Sequence, residues 1–422
     1  MEQMKNTGIE WIGAMPKNWQ LKRIQFCLNE INEKNIPIKT KQVLSLVKDK
    51  GVMLYEEKGN QGNKAKEDVS QYKIAYPNTL IVNSMNILIG SVGISNYLGC
   101  VSPVYYVFKE TDESDLRYIN YIFNTKEFQK ELRKYANGIL EIRLRVSSSD
   151  IFKRKIPLPN KIIQGKIADF LDKKCEEIDA LCSDIQQQIE TLEEYKKSII
   201  TETVTKGLDP NVEMKDSKIK GIKKIPKDWK ETKFKYIATI KSNLVNVSQY
   251  QKYPQISPDN IAKDFGILLG YNTVEEAGII SDNHLFFKGQ ILYSKIRPKL
   301  NKAIIAPFEG LCSADMYPIE TFENTKFVLY MILSRYFLNQ VVLVTEDRVK
   351  MPKINQDELG EINVIIPNKI TQERIVCYLD KKCEEIDCII SEKKEQLEVL
   401  EQYKKSLIYE YVTGKKEVHD DE

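Results

Sequence analysis

Apolar positions recur along this chain with two distinct periods, and the longer pattern predicts its largest elements. From Gln164 to Thr205, Leu171, Ile178, Leu181, Ile185, Leu192, Tyr195 and Ile199 fit a heptad with Ile178 at a and Leu181 at d. From Gln372 to Thr413, Ile386, Ile389, Leu400, Tyr403 and Leu407 take equivalent places, and Lys393 and Gln396 interrupt the seam at a and d. An apolar repeat of 3.5 residues flanked by charge favours a coiled-coil seam over a broad core-facing stripe. Helices of this length extend about 60 Å at 1.5 Å per residue, beyond the reach of a small domain. The alternative is that each helix packs only on its own globular block.

The shorter pattern lies in the two blocks ahead of these segments. Val43 to Val47, Thr79 to Asn83 and Val104 to Phe108 are β-branched or aromatic runs bounded by Gly, Pro and Asn, and they predict strands. Between Asp115 and Ala136, Leu116, Ile119, Ile122, Phe123 and Leu132 fall at helical spacing, as Phe327, Tyr330, Met331, Leu333 and Leu338 do later. Both blocks read as α/β.

The two helical segments are copies. At a constant offset of 208, 24 of 42 positions are identical, and DKKCEEID is unbroken in both. The opening of each block repeats as well: WIGAMPKNWQLKRI, with Pro16 and Trp19, matches GIKKIPKDWKETKF, with Pro226 and Trp229, at an offset of 210, although the second lacks a match for Trp11. At an offset of 211, Asn78 to Asn86 lies beside Gly289 to Arg297, so the blocks share a fold while Asn83, Ser84 and Asn86 stand where Ser294, Lys295 and Arg297 stand. The duplication predicts a pseudo-twofold molecule whose two long helices pair antiparallel and hold the blocks at opposite ends of a stiff rod. Residues 207–221 are polar, with Gly207 and Pro210, and read as an exposed linker.

Charge divides along the same lines. Residues 1–160 carry +7 and 207–368 carry +3, while 161–206 and 369–422 carry −3 and −4. That partition fits phosphate-facing blocks joined by spacers that do not grip a polyanion. No apolar stretch is long enough to span a bilayer and MEQMKNTGIEW lacks a signal-peptide core, so the expected setting is the cytoplasm, with no membrane partner. The eight cysteines include no CxxC and are expected to be buried or inert thiols.

Catalytic patterns are missing. There is no glycine-rich dinucleotide or P-loop motif, no Asn-Pro-Pro-aromatic tetrapeptide and no persuasive nuclease carboxylate set. GNQGNK, from Gly59 to Lys64, is a weak loop signal. The two histidines do not support a metal site or a triad: His284 is expected in a turn, and His419 lies in the acidic tail. A methyltransferase or nuclease of unfamiliar type and a purely structural coiled-coil scaffold are the competing classes.

WIGAMPKNW, IPLPNKIIQGKIADFLDKKCEEID, YKKSIITETVTKGLDPNVEMKDS and VIIPNKITQERIVCYLDKKCEEID together resemble the specificity subunit of type I restriction-modification systems, over essentially the whole chain. The resemblance implies an α+β or α/β fold with two globular target-recognition domains separated by two long antiparallel coiled-coil helices. It divides the chain into a first recognition domain (1–160), a helical spacer (161–206), the linker (207–221), a second recognition domain (222–368), a second spacer (369–415) and an acidic tail (416–422). It implies a non-catalytic subunit that reads a bipartite, asymmetric site in double-stranded DNA, one half per domain. Its helices bind two modification subunits carrying S-adenosylmethionine, and restriction subunits using ATP and Mg join that core; no cofactor is expected in this chain.

Candidate DNA-binding residues in the first domain are Asn83, Ser84, Asn86, Arg143 and Arg145, with Lys58 and Lys64 as weaker loop candidates. In the second they are Lys295, Arg297, Lys299, Arg348, Lys350 and Lys353. Arg pairs with guanine and Asn with adenine, while Lys mainly meets phosphate; surface charge serving solubility is the alternative at each position. Candidate partner-docking residues are Asp172, Lys173, Lys174, Glu176 and Glu177, and their copies Asp380, Lys381, Lys382, Glu384 and Glu385. A solvated helix face is the alternative reading there.

Overall fold

A computed structural model describes residues 3–48, 50–59, 64–138, 144–348 and 352–418. The chain divides into two compact units, Met1–Ile185 with Glu395–Glu422, and Gln186–Lys394. Each unit therefore holds one globular block, the first half of the helix that follows it and the second half of the other long helix.

In the first unit the strands Leu28–Ile31, Tyr105–Glu110, Thr79–Asn83 and Val92–Ser95 form an antiparallel sheet in that order. Thr79–Asn83 is buried at every position, as its continuous apolar run requires of a strand covered on both faces. Helices α1 (Leu116–Asn124) and α2 (Lys126–Arg133) cover one face. They were expected as one helical stretch, but Thr125 is extended, closes α1 and caps α2 with its hydroxyl. The short helix α3 (Ser148–Lys153) leads into Lys155–Leu158, which pairs with Gln20–Arg23.

The second unit repeats this frame. Ala238–Ile240, Met316–Thr321, Ile291–Ser294 and Ala303–Ile305 form the matching sheet. It adds a five-stranded sheet in the order Leu244–Val245, Asn283–Phe286, Gly310–Cys312, Pro254–Ile256 and Asn272–Thr273, whose third and fourth strands are parallel. The long α4 (Lys161–Lys206) precedes it in the chain; α5 (Thr325–Leu333) and α6 (Arg335–Thr345) break at Ser334 as α1 and α2 do at Thr125. The short α7 (Gln356–Gly360) and the long α8 (Lys369–Val412) follow. No single helix among the described residues is long and apolar enough to cross a membrane.

The stretch expected to be a linker folds instead. Met214–Asp216 pairs with Lys224–Pro226 as Met4–Asn6 pairs with Ala14–Pro16, and Ile219 is buried. Lys215 donates to the carbonyls of Lys227 and Trp229, and Lys5 donates to those of Lys17 and Trp19. This small hairpin seals the end of a long helix. The ring of Trp229 lies against Gly207, and Pro16 and Trp19 crowd Gly414; both glycines have positive φ. A side chain at Gly414 meets Pro16 and a left-handed backbone together, so Gly414→Ala is expected to cost about 1–2 kcal/mol in equilibrium unfolding. Ala at the open position Gly278 should cost less. Trp11, edge-on to Phe128 at 5.2 Å, has Gly221 at its place in the second unit, where Phe337 packs on Phe234.

The long helices pair antiparallel within each unit. In the first, Phe170 packs on Tyr411 and Lys404 bonds Asp179 at 2.6 Å. In the second, Lys196 bonds Asp387 at 2.7 Å and Lys393 donates to Gln188. These are the same contact twice, since Asp179 and Asp387, and Lys196 and Lys404, are copies.

The seam keeps predicted a positions such as Ile178, Ile185, Ile386 and Leu407 but not the predicted d positions. Leu171, Cys175, Ile178, Ile185 and Ile189 are buried, and Cys182 is half-buried between them. On α8, Leu379, Cys383, Ile386, Ile390, Leu407 and Tyr411 are buried. Leu181, Tyr195, Ile389 and Tyr403, expected at d, are exposed, and the next residue in each case takes the seam position. Lys393 does sit in the seam, whereas Gln396 faces outward.

Two glutamines lock the start of each long helix to its block. Gln164, fully buried, accepts from the Asp115 N–H at 2.9 Å and donates to the carbonyls of Glu113 and Pro159. Gln372 accepts from the Asn324 N–H at 2.9 Å and donates to Glu323 and to the Pro367 carbonyl.

Candidate nucleic-acid interface and docking faces

In each block the loop after the central strand is stapled to the segment ahead of the long helix. The Val146 N–H donates to the Ser84 carbonyl at 3.1 Å, and the Tyr106 hydroxyl donates to the Val146 carbonyl at 3.2 Å. In the second block the Ile354 N–H donates to the Lys295 carbonyl at 3.0 Å, and the Tyr317 hydroxyl to the Ile354 carbonyl at 3.3 Å. Two segments nominated separately from the sequence thus form one surface per block.

On the first surface, Asn86 and Arg145 are exposed, and the Arg145 guanidinium lies 3.5 Å from the Met85 sulfur in the same loop. Asn83 and Ser84 are corrections. Both are buried, and the Asn83 side chain accepts from the Met85 N–H at 3.1 Å, so it shapes the turn instead of facing a ligand. Lys58 and Lys64 belong to another loop: the Lys58 ammonium sits 4.2 Å from the centre of the Tyr55 ring, whose hydroxyl accepts from the Ala65 N–H, and Lys64 is exposed. Arg143 lies outside the described residues.

On the second surface, Arg297, Lys299 and Lys353 are exposed, and Lys295 is half-buried with its ammonium 5.0 Å from the centre of the Tyr317 ring. Arg297 holds a left-handed conformation at φ 47° and ψ 58°, fixed by its N–H bond to the Pro352 carbonyl. Burial and the neighbouring Lys353 push the Lys295 pKa below its ordinary value. Two ammonium groups that disfavour each other's charge form a pocket of potential that an anion relieves. Arg348 is exposed, and its guanidinium forks onto Glu358 and donates to the Lys353 carbonyl, which braces the loop. Lys350 lies outside the described residues.

Sequence reasoning missed the cation of the first block. Lys73 places its ammonium 5.4 Å from the centre of the Tyr106 ring and 3.6 Å from Glu30. Lys73 pairs with Val101 as His284 pairs with Cys312, so the blocks exchange roles: Lys73 with Ser84 in one, His284 with Lys295 in the other. The signal was the 211-residue offset, which continues to Tyr106 and Tyr317.

His284 was expected in a turn but lies in the strand Asn283–Phe286, buried, with its Nδ1 lacking a hydrogen bond. Burial and then Lys295 hold its pKa below the ordinary value. The unfolded chain therefore protonates this imidazole first, and its contribution, present above about pH 6.5, is lost as pH falls through the unfolded and then the folded pKa. Urea unfolding at pH 7, 6 and 5 is expected to show a shallower acid slope for His284→Gln than for the unaltered chain; identical slopes would remove this role.

The repeated DKKCEEID motif has two faces. Asp172 accepts from Arg117 at 2.9 Å and from the Tyr121 hydroxyl at 2.6 Å; Asp380 accepts from Lys326 at 2.5 Å and from the Tyr330 hydroxyl at 2.8 Å. Both aspartates, nominated for docking, are engaged with their own blocks. Burial pushes the thiols of Cys175 and Cys383 up beside them. Cys377 and Cys388 are exposed, so of the expected buried or inert thiols these two are not buried. Lys173, Glu176 and Glu177, and Lys381, Glu384 and Glu385, face outward, with Lys174 and Lys382 bonded to Glu177 and Glu385. One turn beyond Glu177 and Glu385, Leu181 and Ile389 expose apolar surface, and Tyr403 and Tyr195 do so on the facing helices.

Residues 226–399 match the family model described as the type I restriction modification DNA specificity domain. Over its second block and most of the helix that follows, the chain is similar to type I specificity subunits. It is 31% identical over 246 residues to the EcoDI specificity subunit of Escherichia coli, a match covering 55% of each chain. This chain thus spans about half the length of that relative. It is 25% identical over 355 residues to the MjaVIII specificity subunit of Methanocaldococcus jannaschii, covering 79% of this chain and 76% of the other. Among solved structures, a chain from work on the complex assembly and conformational transition of the type I R-M system has a TM-score of 0.71 at 11% identity, covering 95% of this chain and 99% of that one. The HsdS subunit from Thermoanaerobacter tengcongensis has a TM-score of 0.52 at 12% identity, covering 95% and 98%. At these identities the structural likeness speaks for the fold.

Proposed function

We propose that this chain is a type I specificity subunit that reads double-stranded DNA through the two stapled loops, one half-site per block, and performs no bond chemistry itself. The observation that carries the reading is a common backbone with different exposed side chains: Asn86 and Arg145 in one block, Arg297, Lys299 and Lys353 in the other. Arg297 is the direct reader of the second half-site, and Lys295 with Lys353 receives a backbone phosphate, whose charge offsets their mutual repulsion. In the first block Asn86 and Arg145 read the bases, with Lys73 behind them.

The exposed faces of the duplicated motif, with Leu181 and Tyr403 in one unit and Ile389 and Tyr195 in the other, dock two copies of a modification subunit. S-adenosylmethionine belongs to those subunits, and ATP and Mg to restriction subunits that join them. Mapping methylated bases in a host with and without this gene tests the reading: a split target appears only with the gene. Exchanging residues 1–160 for those of another family member is expected to change one half of that target. A change in both halves overturns the modular reading.

A further inference from the structure

The two docking faces derive from copied sequence, yet the second block lays a loop against one of them. Residues 261–268 form a tight hairpin, closed by the bridge between Ile261 and Leu268 and by the Ala262 N–H bond to the Ile267 carbonyl. At its tip Asp264, at φ 67°, bonds Lys197 at 3.0 Å. Phe265 lies under the ammonium groups of Lys196 and Lys197, 5.0 and 5.8 Å from its ring centre, and Gly266 seats the turn against Leu329 and Leu333.

The effect is visible in the copied lysines. The Lys196 side chain, bonded to Asp387, is 5% exposed, while its copy Lys404, bonded to Asp179, is 28% exposed. Lys197 is 19% exposed and pairs with Asp264; its copy Lys405 is 49% exposed and pairs with Glu401 of its own helix. Beside the hairpin, a cleft of about 470 Å³ lined by Phe265, Lys196, Tyr330, Asp380, Glu384 and Asp387 opens on the second docking face.

We infer that the two faces bind the same modification subunit with unequal affinity, the first unit loading before the second, because the Asp264–Phe265 tip occupies part of the surface that the partner uses. This rests on the docking reading above. A partner that follows the exposed lysine and tyrosine strip of the first unit meets Phe265 in the second, and must separate Lys197 from Asp264 to make the same contact. The tip belongs to a recognition block, so the second affinity depends on which block is present.

Titrating the full chain with the purified modification subunit, followed by calorimetry and native mass spectrometry, tests this. Two sites differing by at least about tenfold are expected. Leu181→Asp should abolish the tighter step and Ile389→Asp the weaker. Asp264→Ala with Phe265→Ala, and separately Lys197→Met, which leaves the hairpin intact, should bring the weaker site to within about threefold of the tighter, which stays unchanged. Two equal sites in the unaltered chain, or a gap that none of these changes narrows, overturn the inference while leaving docking in place. Absence of binding at either face overturns the docking reading itself.

Discussion

Asp387→Ala is expected to destabilise the second unit by about 1–2 kcal/mol, whereas the copied change Asp179→Ala should cost the first unit less than about 1 kcal/mol. The difference follows from what each aspartate leaves behind. Lys196 is only 5% exposed and lies beside the Phe265 ring, so losing Asp387 leaves its ammonium with less hydration than Lys404 can recover. Lys404 retains access to solvent and can be hydrated when Asp179 is lost. Removing both charges together, with Lys196→Met and Asp387→Leu, should recover most of the loss, because the penalty belongs to the unpaired charge and not to the absent bond. Equilibrium urea unfolding, with amide exchange to assign each transition to its unit, reads all three values. Equal losses in the two units would show that the apparent enclosure of Lys196 is energetically empty.

Arg297→Ala is expected to relax the second half-site alone, lowering discrimination there by about 1–3 kcal/mol while leaving the first half-site unchanged. A base contact is proposed for this residue because an exposed guanidinium can pair bidentately with guanine. The Arg297 backbone is pinned by Pro352 in a conformation that few non-glycine residues adopt, and its side chain is exposed on a short turn. Lys353→Ala is the contrasting change: affinity should fall for all sequences alike, with a shallower salt dependence, as expected where a phosphate contact is lost. Competition binding of the assembled complex to DNA altered in one half-site at a time separates the two. If Arg297→Ala weakens every sequence equally, its role is electrostatic and the direct reader lies elsewhere on the stapled surface.

The candidate interface was legible only in part. Exposed cations and amides near the strand ends could be nominated from composition, and Asn86, Arg145, Arg297, Lys299 and Lys353 do lie on the stapled surfaces or the turn beside them. Asn83 and Ser84 occupy the same sequence run, but a turn that must satisfy its own N–H groups drew Asn83 inward. Arg348 is exposed like Arg297, but its pairing with Glu358, ten residues on, is a contact the sequence did not announce. Lys73 was reachable only through the 211-residue offset, because its partners, Tyr106 and Glu30, are distant in the chain.

By itself the sequence determined the duplication, the α/β character of both blocks and the existence and length of two long helices, since identity at a fixed offset and apolar periodicity are local properties. The tertiary structure decided which side of each helix is the seam. Adjacent positions on a helix differ by only about 100° in direction, so Leu181 and Cys182, or Tyr195 and Lys196, are both near enough to the stripe to serve. The partner helix makes the selection: Asp387 renders burial of Lys196 tolerable, and the more apolar Tyr195 is left outside. Hydropathy along one chain segment cannot register a charge supplied by another.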